Sequence, residues 1–426
     1  MKTELTEVNK CVRELDVEVG WDELKNEFGA LIDKYHLNYQ RKGFRKGKYP
    51  KALFKKEMVP SIEVEFSDKA VNDYFTKALE EHQLYPVNQA KIDHFHFHEN
   101  DELHFKAVFE VIPEFTLPDY QHHLSVTVDR LQNTEKDTRE TLERIRSQYA
   151  ESHVVDRPAE KSDLILADIQ ETDSEGHPLP VKIHEDQLID INRGIFDEND
   201  RLVFIGKSAG DTVTISNHSQ TPPVHFNMVI KEVKSQVFPE LNDEFAAKVK
   251  PGITTLEELK HSIETELQQE LDRRFEHNCR DRIADHFVKN TSMDVPSSMK
   301  ERYLDSIVED VKRKTPPAET VDEAQVRDSY SMVAENAIRW QLIMDKLIEV
   351  ENLTVGPEDL NRKYEAFSAQ YNTPVEKIKA MYANPDRLSK LRDDILNDKL
   401  FDHLKSFATI NEVLLTTYDI KNPPKK

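Results

Sequence analysis

Glycine is scarce in this chain. Ten in 426 residues is about 2%, against a usual share near 7%. No two glycines are separated by a single residue, so the G-x-G-x-x-G loop that cradles a dinucleotide is absent. Gly43 and Gly47 precede Lys48, but the spacing is one residue short of a P-loop, and Tyr49 stands where Ser or Thr would hold magnesium. Nucleotide chemistry by either route is excluded, and no cofactor is expected. Cysteine is scarcer still. Cys11 and Cys279 cannot build a disulfide framework, and no C-x-x-C pair offers zinc or redox chemistry. No apolar run approaches the ~20 residues of a membrane span, and Met1-Lys2-Thr3-Glu4 lacks the apolar stretch of a signal peptide. Neither G-x-S-x-G nor H-E-x-x-H occurs. These absences predict a reduced, cytoplasmic, soluble protein that binds rather than catalyses, with no catalytic residue and no metal site.

Charge is abundant and lopsided. Against 58 Lys+Arg stand 80 Asp+Glu, a net charge of −22, and 38% of residues are hydrophobic. That is polar, yet too apolar for wholesale disorder. At about 150 residues per domain the length allows roughly three cores. Residues 12–19 alternate with Leu15, Val17 and Val19 inward, which predicts a strand. Trp21, Leu24, Phe28, Leu31, Ile32 and Tyr35 form a helical stripe. A second helix is expected from a cap at Ser67, followed by a hairpin over 91–98 and 102–111 turning at Glu99-Asn100-Asp101.

A polar connector with a helix over Thr134–Tyr149 follows. Short β-like runs then appear at Leu164–Ile169, Arg201–Ile205, Thr212–Ile215 and His225–Val233. From Pro239 the pattern is helical almost to the end. A capping box at Thr255…Glu258 opens a long helix striped by Leu259, Ile263, Leu267, Leu271, Phe275, Ile283 and Phe287. Such a helix fits either an extended arm or an ordinary coiled-coil pair. The expected fold is α+β, multidomain and elongated, with an N-terminal α+β module (1–115), a connector (116–158), a small mostly-β domain (159–236) and an all-helical body with arms (237–426).

One segment opposes the acidic background. Residues 41–56 carry Arg41, Lys42, Arg45, Lys46, Lys48, Lys51, Lys55 and Lys56 with no acid among them. Such a cluster binds phosphate-rich or acidic partners. Gly43 and Gly47 permit a tight loop, Pro50 ends it, and Phe44 sits at its tip. An exposed Phe44 would anchor docking on a ribonucleoprotein; the alternative is a solvated loop with Phe44 tucked into its own core. His94, His96 and His98 alternate with Phe95 and Phe97. On a strand the histidines share a face that could hold zinc, but inward phenylalanines would make it simply the solvent face. Trp340, Met344, Tyr364, Phe367 and Met381 offer aromatic and Met surface for a promiscuous groove, or ordinary core packing.

Gly43-Phe44-Arg45-Lys46-Gly47-Lys48-Tyr49-Pro50 resembles the G-F-R-x-G-K-x-P signature of the bacterial trigger factor family, ribosome-associated chaperones. The resemblance extends through Val155-Asp156-Arg157-Pro158-Ala159-Glu160 and the step Phe238-Pro-Glu-Leu-Asn-Asp-Glu-Phe245. It implies that Gly43, Phe44, Arg45, Lys46, Gly47, Lys48 and Pro50, supported by Arg41, Lys42 and Lys51, contact protein and RNA of the large ribosomal subunit beside the exit tunnel. It further implies an ATP-independent chaperone of unfolded nascent polypeptides serving folding, export and cell division. The protein would be cytoplasmic and partly ribosome-bound, able to form a homodimer when free, with no membrane or DNA partner. The middle domain would be of the FK506-binding-protein type, a prolyl isomerase. Ile205-Gly206-Lys207-Ser208-Ala209-Gly210-Asp211 and Val229–Val233 resemble that domain's turn and last strand. However, Ala167-Asp168-Ile169-Gln170 stands where the family carries an aromatic-Gly pair, and the flap between Ser216 and Phe226 is short. Lowering an X–Pro barrier of ~20 kcal/mol needs a desolvating pocket, so weak or absent turnover is expected. The rival readings are a free-standing prolyl isomerase and a nucleic-acid-binding protein using the basic loop.

Overall fold

The computed structural model describes all residues except 174–176, 180–182, 192–200, 218–223, 316–320, 418 and 420–426. Two strands open the chain, β1 (Lys2–Glu7) and β2 (Val12–Val19), followed by the helices α1 (Trp21–Asn38) and α2 (Lys51–His82) and the strands β3 (Lys91–His96) and β4 (Leu103–Glu110). The four strands form one antiparallel sheet in the order β1-β2-β4-β3. Alternation on β2 and β4 buries Leu15, Val17, Val19, Leu103, Phe105, Ala107 and Phe109 against the stripes of α1 and α2. Phe28 meets Phe66 and Phe97 edge to face at 5.1 and 5.6 Å, a geometry that adds to simple area burial.

Two local expectations fail here. Ser67 does not cap a helix. It lies inside α2, where its hydroxyl donates to the Val64 carbonyl at 2.8 Å, and the helix begins directly after Pro50. The local signal of a small polar residue loses to the continuous apolar face of Phe54, Ile62, Phe66, Ala70 and Tyr74. Phe97, just past the end of β3, is buried, but Phe95 on the strand is exposed. His94 takes a positive φ of 49° and the register shifts between Asp93 and His96. This bulge breaks the alternation on which the shared histidine face depended.

The chain continues through α3 (Tyr120–His123), β5 (Ser125–Gln132), α4 (Glu135–Gln148), β6 (Glu151–Val155), β7 (Leu164–Thr172), β8 (His184–Asp190), β9 (Thr212–Asn217) and β10 (Val224–Val237). Strands β6, β10, β7 and β8 are neighbours in that order, and β9 also pairs with β10. Their core holds Ile165, Ala167, Phe204, Met228 and Ile230. Residues 201–206 are not a strand. Phe204 and Ile205 N–H groups donate to the Arg201 and Leu202 carbonyls, a helical turn that seals Phe204 inside. Then come α5 (Asp243–Val249), α6 (Leu256–Asn290), α7 (Ser297–Lys314), α8 (Glu323–Val350), α9 (Pro357–Tyr371), α10 (Val375–Met381), α11 (Pro385–Phe407) and β11 (Thr409–Thr416), which pairs with β5. The expected capping box is present, with the Glu258 N–H donating to the Thr255 hydroxyl at 3.2 Å and the Thr255 N–H to Glu258 at 3.1 Å.

The fold is thus α+β and multidomain, with a β-rich middle and a helical C-terminal body. Its residues gather into two compact units. One joins Met1–Val128 to Asn278–Asn411, and the other joins Asp129–His277 to the chain from Glu412. Within the first, buried Glu110 at the end of β4 accepts from the Ser297 and Ser298 hydroxyls and, at 2.8 Å, from the Ser298 N–H at the start of α7. Within the second, Leu142 of α4 packs with Phe245, Ala246, Leu259 and Ile263, so the connector's helix has a core of its own.

Candidate functional site

The basic segment joins α1 to α2 through two consecutive tight turns. The Phe44 N–H donates to the Arg41 carbonyl at 3.0 Å, and the Lys48 N–H to the Arg45 carbonyl at 2.9 Å. Each turn carries glycine at its third position with positive φ, 92° at Gly43 and 70° at Gly47, the backbone a type II turn demands. The Gly47 N–H also donates to the Tyr39 carbonyl at 2.9 Å. A Cβ on Gly47 would stand 2.8 Å from the Leu37 carbonyl oxygen, whereas one on Gly43 meets nothing within 4 Å.

One carboxylate fastens the loop. Glu57, in the second turn of α2, accepts from Tyr49 at 2.9 Å, Tyr39 at 3.0 Å and Arg41 at 2.7 Å. The Tyr49 and Tyr39 hydroxyls, with Arg41 beside them, hold its carboxyl below the usual range despite some desolvation. The same hydrogen bond, with burial, pushes the Tyr49 phenol up. Tyr49 is buried beneath the loop, and its ring supports Phe44 edge-on at 5.0 Å and Tyr39 at 5.5 Å. The role of Glu57 was not read from the sequence, although it is the first acid after twenty-three residues without one.

Three cations of the segment are neutralised locally: Arg41 by Glu57, Lys51 by Asp33 and Lys55 by Glu99. Lys42, Arg45, Lys46, Lys48 and Lys56 have no ion-pair partner among the described residues, and all five are exposed. Phe44 keeps 45% of its surface in water. Leu37 at the end of α1 and Leu53 in the first turn of α2 are exposed as well, an apolar flank the sequence reading missed. The site therefore offers fixed positive charge around one aromatic ring. That suits a phosphate backbone beside a base or an apolar protein surface.

The other candidates fall differently. Met344 and Tyr364 are buried, Trp340 is held between Phe287 and Phe401, and Phe367 stacks on Tyr382. Of the five, only Met381 is exposed; the apolar surface of these helices comes instead from Tyr303, Tyr330, Met332, Val333 and Tyr371. In the β-rich domain Ala167 is buried. Asp168 accepts from Lys231 at 2.8 Å and from the Asp186 N–H at 2.9 Å. Hydrogen bonds to Asp168 and Asp186 push the Lys231 ammonium well above its ordinary value. Asp168 is thus a paired carboxylate, and Phe204 is sealed in the domain's core. The flap expectation over 216–226 falls mostly outside the described residues.

Comparison with known proteins agrees along the chain's length. The family described as bacterial trigger factor protein matches residues 1–145, and the description of its C-terminus matches 255–406. The trigger factor of Chlorobium phaeobacteroides is 27% identical over 97% of this chain and 98% of its own length. That of Bdellovibrio bacteriovorus is also 27% identical, with the same coverage. A solved structure of the trigger factor chaperone, described for promiscuous substrate recognition in folding and assembly, superposes with a TM-score of 0.54. It is 19% identical and covers 95% of this chain and 99% of its own.

Proposed function

The chain belongs to the bacterial trigger factor family of chaperones, and on that premise we propose that it docks at the ribosomal exit tunnel through residues 41–50 and shields nascent polypeptides without ATP. The observation that carries the reading is the loop's apex. Phe44 is 45% exposed, while Arg45 and Lys46 have no ion-pair partner among the described residues of a chain of net charge −22. A molecule so acidic is repelled by RNA in general, so the cationic loop selects the orientation of approach. Glu57 and the paired type II turns hold it preformed, which limits the entropy lost on docking.

Clients are held by exposed apolar side chains on the helices. Release follows from folding, because a client that buries its own apolar area removes the ~25 cal/mol per Å² that retained it. Acidic surroundings keep these surfaces apart between clients. The β-rich domain is a weak or inactive isomerase, since the Asp168–Lys231 pair keeps charge where an X–Pro amide must be desolvated.

Ribosome co-sedimentation tests the docking. The triple substitution Phe44→Ala, Arg45→Ala, Lys46→Ala should leave the protein in the supernatant at salt concentrations where wild type pellets. If the variant pellets like wild type, the loop is not the tether. A protease-coupled prolyl peptide assay should show turnover near background, and robust activity would defeat the reading of the β-rich domain.

A further inference from the structure

Helices α7 (Ser297–Lys314) and α8 (Glu323–Val350) lie side by side, tied by Lys300 to Glu335 at 3.4 Å and by Lys312 to Glu323 at 2.6 Å. Along the pair runs an open groove of about 360 Å³, lined in part by Met299, Arg302 and Tyr303 from α7 and by Ala337, Ile338 and Gln341 from α8. Spacings of three and four residues place each set on one face of its helix. Ile338 is buried, Met299 and Ala337 are half-buried, and Tyr303 keeps 38% of its surface in water. The α8 wall continues through Val333 and Tyr330, one and two turns before Ala337, and both are exposed. From Tyr330 to Gln341 the helix rises about 16 Å, the length of about five residues of extended chain. Single apolar side chains on a surface need no partner, but a row of them beside a groove marks a binding surface.

The polar groups of the groove narrow its occupant. Gln341 Nε2 donates to Asp345 at 2.9 Å, and the Ser306 hydroxyl donates to the Tyr303 carbonyl at 2.7 Å. The acids that flank Arg302 in sequence are also taken, since Arg327 pairs with both Glu301 and Asp305. Arg302 itself is exposed and has no ion-pair partner among the described residues. Its Nη2 donates to the Val87 carbonyl at 2.8 Å, which holds the guanidinium in place while its other N–H groups answer no acid among those residues. An apolar surface beside one unanswered cation is complementary to an apolar side chain next to a carboxylate. We infer that this groove binds an extended segment of unfolded polypeptide in which a large apolar residue is flanked by Asp or Glu, its side chain lying against Met299, Tyr303 and Ala337 and the carboxylate meeting Arg302. The inference rests on the chaperone reading and deepens it, because it gives one client surface a preference of sequence. The chain's net charge of −22 opposes acidic clients only weakly at this point, since exposed charges more than ~8 Å away are screened at physiological salt, whereas Arg302 acts at contact.

The test uses the full chain and three labelled Gly/Ser peptides measured by fluorescence anisotropy, with centres Glu-Ser-Phe-Ser-Glu, Gln-Ser-Phe-Ser-Gln and Glu-Ser-Ala-Ser-Glu. Alternation along an extended chain puts both flanking residues on the phenylalanine's side. Wild type should bind the first peptide about two- to fivefold more tightly than the second and about tenfold more tightly than the third. Arg302→Gln, which keeps an apolar stem and removes the charge, should erase the preference for Glu over Gln and leave the second peptide's affinity unchanged. Tyr303→Ala, at an exposed position, should weaken both phenylalanine peptides about threefold or more. The wild-type preference and Tyr303→Ala decide the matter should Arg302→Gln not fold. Suppression of the aggregation of reduced lysozyme, an unrelated unfolded client, reports chaperone activity separately. If wild type binds the Glu- and Gln-flanked peptides equally, if Arg302→Gln keeps the preference, or if Tyr303→Ala binds like wild type, the groove does not read this sequence and the inference fails alone. It also fails alone if wild type binds no peptide yet suppresses aggregation. If wild type does neither, the inference falls together with the chaperone reading.

Discussion

Replacing Gly47 by alanine should damage the loop more than the same change at Gly43, and the structure says by how much. Both sites have positive φ, where an L-residue costs roughly 1–2 kcal/mol. At Gly43 that is the whole effect, because a Cβ there meets open space. At Gly47 the added carbon would sit 2.8 Å from the Leu37 carbonyl, which belongs to the last turn of α1 and cannot step aside without breaking it. The loop must move instead, and the Gly47 N–H to Tyr39 bond is lost, at about 0.5–1.5 kcal/mol. Gly47→Ala therefore costs about 1.5–3.5 kcal/mol, and the population of the docking conformer falls by at most roughly 10- to 400-fold. Gly43→Ala gives at most roughly 5- to 30-fold by the same conversion. Titrated co-sedimentation gives the apparent Kd of each variant, with far-UV circular dichroism confirming that the helices persist. Equal effects, the reverse order, or no loss at Gly47 would refute both the preformed loop and its role.

Further expectations concern the framework that carries the loop and the β-rich domain. Burial pushes the Glu110 carboxyl up, but the Ser297 and Ser298 hydroxyls and N–H groups outweigh it and leave its pKa below the ordinary 4.5. A depressed carboxylate stabilises the fold above its unfolded value, and that contribution is lost as the pH falls through the folded one. Glu110→Gln should lower stability by about 1–2 kcal/mol at neutral pH. In urea titrations the gap from wild type should close below pH 4.5, and a pH-independent gap would contradict the assignment. Asp163, with a 1% exposed side chain, takes a bidentate contact from Arg157 at 2.6 and 3.1 Å and the Glu160 N–H at 2.8 Å. Asp163→Ala leaves the Glu160 N–H unanswered while Arg157 keeps Glu160 at 3.5 Å and the Pro158 carbonyl, and should destabilise the β-rich domain by about 1–3 kcal/mol in calorimetry; no measurable loss would mean that solvent already satisfies these groups.

The basic loop was legible because its information is local. Two glycines, a proline and an acid-free run define both turn geometry and charge within sixteen residues. The same holds for the helices after Glu323, whose stripes and first-turn prolines repeat within a few residues, and for the capping box at Thr255. Where competing local signals met a larger packing demand, sequence reading failed. Ser67 looked like a cap but lies on a face buried across the whole of α2. Arg201–Ile205 looked like a strand but must curl to seal Phe204. Met344 and Tyr364 looked like available surface but fill the helical core.

What the sequence settled by itself was the family resemblance, the helical character of the C-terminal half and the cationic apex, since each is written in neighbouring residues. What only the tertiary structure decided were pairings across long stretches of chain. Glu110 caps a helix that begins at Ser297, and β11 lies beside β5. Such contacts depend on which surfaces meet once apolar faces are buried, and no periodicity along the chain records that choice.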